Sequence, residues 1–325
     1  MKIAIVKLSA LGDIIHTMVA LQFIKNHYPD SQIDWIVDQQ FKSVLENNLH
    51  IRSIHTVSFK KAKKEKSILL ILKELNKVRV LQKYDLVIDA QGLIKSAIVA
   101  KLIPSKITVG FDIKSIREKL ASYFYNYKVA ISYDSNSIER NLRVICNPLD
   151  ISFNSIDIEN KDRFLFSDSK FKVDVGRYIV FIIGSTWASR NYPIEKFVEV
   201  ADLLQKNCIV LWGNNEERKK AEWMSEQSAF ISTIPKLDLN EVKAVISNSS
   251  LLIGNDSGPS HMAWGLNIPS IILFGPTPVN RVFQSTINQV LKSNSEVNHF
   301  KLNKQDFTIR EIGVNDIVRM AEELL

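Results

Sequence analysis

The sequence predicts an α/β protein with two doubly wound domains that face each other across a cleft. In both halves, short runs rich in Ile and Val alternate with segments of helical period. The runs are continuously apolar, as expected of parallel strands that helices cover on both faces. A chain of 325 residues is long enough to bury two such cores. Ligands of these sheets bind beyond the carboxyl ends of the strands, so we look for site residues there.

In the first half, the predicted strands are KIAIVKL, IDWIV, DLVIDAQ and ITVGF. The predicted helices between them are GDIIHTMVALQFIKNHY, KSILLILKELNKVRVLQKY and SIREKLASYFYN. The stretch 151–176 is polar and has little periodicity, which is typical of a linker. We therefore expect an N-terminal domain over residues 1–160 and a C-terminal domain over 161–325.

The second half repeats the plan. Its predicted strands are YIVFIIG, CIVLWG, AFIST, SLLIGND and SIILFG. Its predicted helices are IEKFVEVADLLQ, EERKKAEWMSEQ and DLNEVKAVISN. A terminal helix is predicted at about 314–325, and we expect it to pack back on the N-terminal domain.

Composition and charge restrict the classes of function that fit the sequence. Residues 1–150 carry 23 basic and 14 acidic residues, a net +9, whereas the rest carry 19 and 21, a net −2. This asymmetry indicates that one domain meets an anionic partner. No apolar run is long enough to span a bilayer and no signal peptide is evident, which favours a cytoplasmic protein. Cys146 and Cys208 are predicted to be buried thiols, and no Asp-x-Asp motif for a divalent ion occurs.

The segment LLIGNDSGPSHMAWGLNIPSIILFGPTP, residues 251–278, contains the strongest candidate site. A strand ends at Asp256, and Pro259 is predicted to begin a helix whose free N–H groups would bind a diphosphate. Asp256 could instead merely cap that helix, and His261 could be an ordinary core residue. A second Gly-Pro turn after the next strand favours the site. The candidates here are Asp256, Ser257, Gly258 and His261.

Two further loops of the second half carry candidates. GSTWASRNYP, residues 184–193, offers the hydroxyls of Ser185 and Thr186 and the guanidinium of Arg190 to a phosphate. A capped helix beside a solvated arginine explains this loop about equally well. Glu217 follows the strand CIVLWG, but a glutamate in a first helical turn also simply complements the helix dipole.

Asp13 stands where the first strand turns into a helix, in SALGDIIH. It is either a first-turn acid that caps the helix or a carboxylate that accepts a proton from an attacking hydroxyl. The G-x-G-x-x-G pattern is absent, so a dinucleotide site is poorly supported. Cations in the same half are either surface charges or ligands of the anionic partner: the lysine run FKKAKKEK at 59–66, Lys95 and Arg117.

Several motifs together resemble a known family. KLSALGDIIHTMVAL, IDWIVDQQF, VIDAQGLIKSA, REKLASYFYN and GNDSGPSHMAWGL are similar, over nearly the whole chain, to the lipopolysaccharide heptosyltransferases of glycosyltransferase family 9, and specifically to the heptosyltransferase I group. The resemblance implies a GT-B fold with two Rossmann-like domains. It also implies inverting, metal-independent transfer of L-glycero-D-manno-heptose from ADP-heptose to the Kdo of Kdo2-lipid A, without a cofactor.

The resemblance also implies roles for residues. Asp13 matches the catalytic base. The donor site would comprise Ser185, Thr186, Arg190, Glu217, Leu237, Asp256, Ser257, Gly258 and His261. Within it, Glu217 would contact the ribose and Leu237 the adenine; Arg190 and Ser257 stand where lysine and threonine are common. Acceptor contacts would come from Lys60, Lys61, Lys63, Lys64, Lys95 and Arg117. Lysines replace arginines in the basic loop, which removes bidentate contacts.

The expected setting is a monomer, peripheral to the cytoplasmic leaflet of the inner membrane, that binds no nucleic acid. Three alternatives remain. A heptosyltransferase II would share the donor but act on a heptosylated core. A nucleotide-sugar epimerase would need no lipid acceptor. A non-enzymatic nucleotide- or nucleic-acid-binding module would interleave aromatic residues in its basic patch, where FKKAKKEK has only Phe59.

Overall fold

The computed structural model describes residues 1–59, 64–298 and 302–325. They form two compact units, Met1–Phe164 and Leu165–Leu325. The division lies close to the boundary predicted near residue 160. Each unit is an α/β body with a parallel sheet, so the predicted fold class is confirmed.

In the first unit, the described strands pair in the order β3-β2-β1-β4-β5-β6, all parallel. The strands are β1 Lys2–Val6, β2 Gln32–Asp38, β3 Ser53–Val57, β4 Tyr84–Asp89, β5 Ser105–Phe111 and β6 Tyr127–Val129. The helices are α1 Leu11–Met18, α2 Ala20–His27, α3 Lys42–Leu45, α4 Ile68–Arg79, α5 Ile94–Leu102, α6 Ser137–Cys146 and α7 Ser155–Glu159. The strand order reverses between β1 and β4, which is the position where such sheets bind ligands.

The second unit repeats this arrangement, with the described strands in the order β12-β11-β10-β7-β8-β9. The strands are β7 Tyr178–Ile182, β8 Asn207–Leu211, β9 Ile231–Thr233, β10 Leu251–Asn255, β11 Ser270–Phe274 and β12 Asn288–Lys292. The helices are α8 Ile194–Leu204, α9 Asn215–Gln227, α10 Leu239–Ser247, α11 Met262–Leu266 and α12 Val314–Leu324. Here the order reverses between β7 and β10.

The central strands are buried on both faces, as their continuous apolar runs predict. Every residue of β7, β10 and β11 is buried. Burial at about 25 cal/mol per Å² of apolar surface is the main stabilising contribution to each sheet. The loops that follow these strands therefore start from rigid positions.

Three strands, β3, β6 and β12, are not predicted from the sequence. Each lies at an edge of its sheet, and each mixes polar with apolar residues because one side of an edge strand meets solvent. The predicted helix SIREKLASYFYN is instead a 3₁₀ segment over Lys119–Phe124. Its exposed Leu120 and Tyr123 do not form the buried stripe that a longer helix needs.

The expectation for the terminal helix is also corrected. Helix α12 packs against α8 and β11 of the second unit. Its Ile317 and Ala321 are fully buried in that unit's core. The apolar face that we expected to cover the N-terminal domain therefore covers the second sheet.

Candidate active site

Five loops of the second unit follow the carboxyl ends of its parallel strands and lie along one edge of the sheet. They follow β7, β8, β9, β10 and β11, and every donor-site residue predicted from the sequence lies in them or at the start of the next helix. The loops after β7 and β10 flank the point where the strand order reverses. The structure thus gathers the predicted donor residues at the edge where ligands of such sheets bind.

Asp256 is the centre of a buried polar cluster at this edge. Its Oδ2 lies 2.6 Å from Nη2 of Arg190 and accepts a hydrogen bond of 2.9 Å from the Thr277 hydroxyl. Its Oδ1 lies 3.2 Å from Nε2 of His261. The four side chains come from three different loops and are all buried. Asp256 therefore holds these loops together, which a simple helix cap would not do.

The charge of Asp256 is stabilised by its neighbours. Burial alone would raise the pKa of this carboxyl. The hydrogen bond with His261 and the positive charges of Arg190 and Arg281 outweigh burial, and they hold the pKa below its ordinary value. Asp256 is thus an anion in a cluster of cations.

Arg190 differs from the sequence expectation. We expected its guanidinium to grip a phosphate, but Nη2 is bound both to the carboxylate and to the backbone carbonyl oxygen of Asp256. The guanidinium also lies 5.5 Å from the ring centre of Trp187. Its buried Nε has no hydrogen-bond partner within the part of the chain that the structure describes. The main polar contacts of the Arg190 guanidinium are therefore with Asp256.

The predicted helix at Pro259 is also different. Pro259–His261 form a single 3₁₀ turn, followed by the five-residue helix α11. So short a helix has a weak dipole, so a diphosphate at this turn would depend on its backbone N–H groups rather than on the dipole. The Ser260 hydroxyl donates to the carbonyl oxygen of Asn255 and lies 3.3 Å from the Ser257 hydroxyl. This turn is held by side-chain hydrogen bonds and leaves Ser257 half-buried.

The loop after β7 presents its hydroxyls at the surface. Thr186 is exposed and Ser185 half-buried, and the Ser185 hydroxyl donates a 3.3 Å hydrogen bond to the carbonyl oxygen of Trp187. The loop is anchored behind them, because the Asn255 side chain accepts from the Tyr192 N–H and donates to the Ile183 carbonyl oxygen. Both hydroxyls therefore lie at the carboxyl edge on a fixed loop.

Glu217 is held in position beside this loop. Its carboxylate accepts hydrogen bonds of 2.7 Å from the Gly213 N–H and from the Asn214 side chain. It also presses on Gly184, where an added Cβ would lie 2.2 Å from Glu217 Oε1. A side chain at position 184 would therefore force the Glu217 carboxylate to move.

Leu237 follows β9 and is half-buried, next to the N-cap Asp238 of α10. The neighbouring backbone is fixed by the indole of Trp212, which donates a 2.8 Å hydrogen bond to the Ile234 carbonyl oxygen. Leu237 and Glu217 follow the adjacent strands β9 and β8 at one edge of the sheet.

Sequence reasoning missed Thr277 and Arg281, which follow β11. Thr277 is fully buried against Asp256, and Arg281 contributes positive charge to the same carboxylate. The Gly-Pro turn at 275–276 pointed to this loop. Only the tertiary structure shows which residues of this loop lie beside Asp256.

In the first unit, Asp13 lies in the first turn of α1, just beyond the carboxyl end of β1 and beside the sheet's reversal point. Its side chain is exposed, and Oδ2 accepts a 3.3 Å hydrogen bond from the Ala10 N–H. That bond occupies one oxygen only. The capping role and the proton-accepting role are therefore compatible.

A buried polar network lies behind this loop. Lys7 donates to the carbonyl oxygen of Ala90 at 2.7 Å and to Asn141 Oδ1 at 3.2 Å. Burial lowers the pKa of Lys7, and the negative charges of Asp13 and Asp89 oppose that shift. The carboxylate of Asp13 therefore interacts electrostatically with the buried amine of Lys7.

The predicted acceptor residues are only partly placed. Lys60, Lys61 and Lys63 lie outside the described residues. Lys64, Lys95 and Arg117 are exposed, and Lys95 Nζ lies 5.7 Å from the ring centre of Phe59.

Within residues 1–59, 64–298 and 302–325, no group of three or more His, Cys, Asp or Glu could hold a metal ion. In the same ranges, no helix is long and apolar enough to cross a membrane.

Comparison with known proteins identifies the family. The sequence profile of glycosyltransferase family 9 (heptosyltransferase) matches residues 74–308. Lipopolysaccharide heptosyltransferase 1 of Campylobacter coli is 36% identical, over 100% of this chain and 99% of the relative. The chain belongs to glycosyltransferase family 9. It is therefore a glycosyltransferase of the heptosyltransferase family, as the motifs indicated.

Other family members agree over most of the chain. Lipopolysaccharide heptosyltransferase 1 of Escherichia coli K12 is 29% identical, over 94% of this chain and 97% of the relative. The structure of E. coli heptosyltransferase WaaC with ADP-2-deoxy-2-fluoro heptose matches with a TM-score of 0.83 and 25% identity, over 100% of both chains. The GT-B fold expected from the resemblance is thereby confirmed.

Proposed function

We propose that this family 9 enzyme is a heptosyltransferase I, which transfers L-glycero-D-manno-heptose from ADP-heptose to the Kdo of Kdo2-lipid A. The observation that carries the proposal is the full-length match to the Campylobacter heptosyltransferase 1. The bound ADP-heptose analogue in the WaaC structure supports ADP-heptose as the donor.

Asp13 is the proposed general base. Its exposed carboxylate takes the proton of the Kdo hydroxyl as that oxygen attacks the anomeric carbon of the heptose. The bond from that carbon to the diphosphate oxygen breaks at the same time, and ADP leaves with the electron pair. Attack from the face opposite ADP inverts the anomeric configuration. The proposed reaction uses no metal ion and no cofactor.

The donor site is proposed at the carboxyl edge of the second sheet. Ser185, Thr186 and backbone N–H groups near Gly258 stabilise the negative charge that grows on the leaving diphosphate. Asp256 and Ser257 bind hydroxyls of the sugar, while Arg190 and His261 orient Asp256 through the contacts described above. Glu217 binds the ribose and Leu237 packs near the adenine.

The acceptor site is proposed on the basic first unit. Lys60, Lys61, Lys63, Lys64, Lys95 and Arg117 bind the carboxylates and phosphates of Kdo2-lipid A. The protein acts as a monomer at the cytoplasmic leaflet of the inner membrane, without nucleic acid. Replacing Lys60, Lys61, Lys63 and Lys64 by Ser should weaken the use of a membrane-borne acceptor in a salt-dependent way. Unchanged activity at low salt would contradict this role.

The decisive assay measures ADP released from ADP-heptose, with and without Kdo2-lipid A, in excess chelator. Release that requires Kdo2-lipid A and persists with chelator is the expected result. Release only with an already heptosylated core would assign the enzyme as a heptosyltransferase II. Loss of release with chelator would refute metal independence, and no release with either acceptor would refute the proposed function.

A further inference from the structure

Helix α4 exposes large apolar side chains at its amino-terminal end. The relative exposure is 73% for Ile68, 79% for Leu69 and 56% for Leu72. The spacing i, i+1 and i+4 places the three side chains on one side of the helix. Single exposed leucines are common on soluble proteins, but adjacent ones on one face mark an interaction surface. We call these three residues the α4 apolar face.

The rest of α4 is anchored and prevents this face from turning inward. Val78 is buried in the core of the first unit, and Leu75 packs against that core. The buried Glu74 accepts a hydrogen bond of 2.9 Å from the Ser58 N–H and forms an ion pair of 2.6 Å with Lys77. The orientation of the helix is therefore set, and the α4 apolar face is directed outward by construction.

The positive charge around this face indicates an anionic partner. Residues 59–83 contain eight Lys and one Arg against two Glu, a net +7, which equals the net charge of the whole chain. Lys64, Lys66 and Lys73 are exposed beside the apolar face. Lysines extend their charged ends past apolar surface toward water or headgroups. Apolar residues ringed by lysines are typical of a helix that lies in the interface of an anionic bilayer.

The position of the face relates it to the acceptor. Helix α4 begins after the carboxyl end of β3, so its amino-terminal turns lie at the same sheet edge as Asp13. The inner side of α4 contributes Ile71 and Leu75, and the α4 apolar face contributes Ile68, to a cavity of about 870 Å³ in the first unit, which Lys95 also lines. The α4 apolar face thus adjoins this cavity at Ile68, and the cavity also contains the predicted acceptor residue Lys95.

We propose that the first two turns of α4 insert into the headgroup region of an anionic lipid bilayer, with Ile68, Leu69 and Leu72 in contact with acyl chains. The exposed Lys64, Lys66 and Lys73 beside this face bind the lipid phosphates. This inference rests on the proposed function for the choice of a membrane as partner, and it adds a specific apolar contact to the general electrostatic attachment.

The test is flotation of the full-length protein with phosphatidylcholine vesicles, with or without phosphatidylglycerol. We expect binding to the anionic vesicles, and at least a tenfold weaker partition for the double variant Leu69→Ser and Leu72→Ser. Leu49→Ser is the matched control, because Leu49 is 89% exposed but precedes β3, at the opposite edge of the sheet. Its partition should stay within twofold of the wild type. Thermal unfolding should be the same for all three proteins, since the replaced side chains are exposed.

A second measurement distinguishes insertion from adsorption by charge alone. Leu69→Trp keeps the face apolar and places a fluorophore on it. We expect a blue-shifted emission with anionic vesicles and quenching by brominated acyl chains. Binding without quenching, or equal binding by the serine double variant, would overturn the inference. So would a concentration-dependent dimer that the serine double variant dissociates, because a second copy would then cover the face.

The outcomes for the two proposals are separable. Vesicle binding uses no donor or acceptor, so it is independent of transfer. The serine double variant should retain ADP release with a water-soluble acceptor that lacks acyl chains, and lose at least tenfold with acceptor in vesicles. Vesicle binding without any transfer would refute only the proposed function. Transfer without a dependence on Leu69 and Leu72 would refute only this inference.

Discussion

Asp256 and Arg190 form an ion pair of 2.6 Å in the interior of the second unit, and Arg190 also donates to the backbone carbonyl oxygen of Asp256. The pair joins the loop after β10 to the loop after β7, across the point where the strand order reverses. An interaction at this place stabilises the fold and would also shape the proposed donor pocket.

Replacing Asp256 by Asn should lower the free energy of unfolding by about 3–5 kcal/mol, because the buried guanidinium of Arg190 loses its counter-ion. Thr277→Val is the matched control. It removes one hydrogen bond to the same carboxylate and should cost about 0.5–1.5 kcal/mol. Urea unfolding measures both values. Equal losses in the two variants would show that the ion pair contributes no more than a neutral hydrogen bond.

Replacing Gly184 by Ala should displace the Glu217 carboxylate, since the new Cβ would lie 2.2 Å from Oε1. We expect the KM for ADP-heptose to rise about tenfold with little change in kcat, the pattern of a lost ground-state contact. Gly213→Ala is the control, because its Cβ would lie 3.5 Å from Glu217 Oε2, an ordinary contact. A similar KM in both variants would place Glu217 outside the donor site.

Replacing Asp13 by Ala should reduce kcat about 10²–10⁴-fold while the affinity for ADP-heptose stays nearly unchanged. Asp13→Asn separates the two roles of this residue. Asn keeps an oxygen for the Ala10 N–H but cannot accept the proton, so it should be as impaired as Ala. Near-normal turnover in Asp13→Asn would mean that the carboxylate only caps α1. Single-turnover kinetics and donor titration give the two parameters.

The buried carboxyl group of Asp34 should make the stability of the first unit depend on pH. Burial tends to raise the pKa of Asp34, but hydrogen bonds from His55, Arg52 and Tyr84 lower it below its ordinary value. The stabilisation is therefore complete above about pH 4, the unfolded pKa, and is lost as the pH falls below it.

Asp34→Asn should accordingly be about 2 kcal/mol less stable than the wild type at pH 7, because the charge-assisted hydrogen bonds of the buried carboxylate are weakened. The deficit should shrink steadily between about pH 4 and pH 2. Asp30→Asn, at an exposed position, is the control. Denaturant titrations at several pH values test this, and a deficit that does not change with pH would contradict it.

Much of the fold follows from local sequence pattern. Continuous apolar runs such as YIVFIIG predict buried parallel strands, and the alternation with amphipathic helices predicts two doubly wound units. Pattern also located Asp13, Glu217 and Asp256 beyond strand ends. The edge strands β3, β6 and β12 escaped because half-exposed strands have no continuous apolar signal.

The sequence by itself determined the two α/β units, because the periodicity of apolar residues reflects which strands and helices are buried. The order of the motifs determined the family and the loops that carry the candidate site. Only the tertiary structure decided how those residues are used. It showed that Arg190 pairs with Asp256, that Thr277 supports the same carboxylate, and that α12 packs on the second unit. These contacts join residues distant in sequence, so their energies depend on the packing of whole elements rather than on any local pattern.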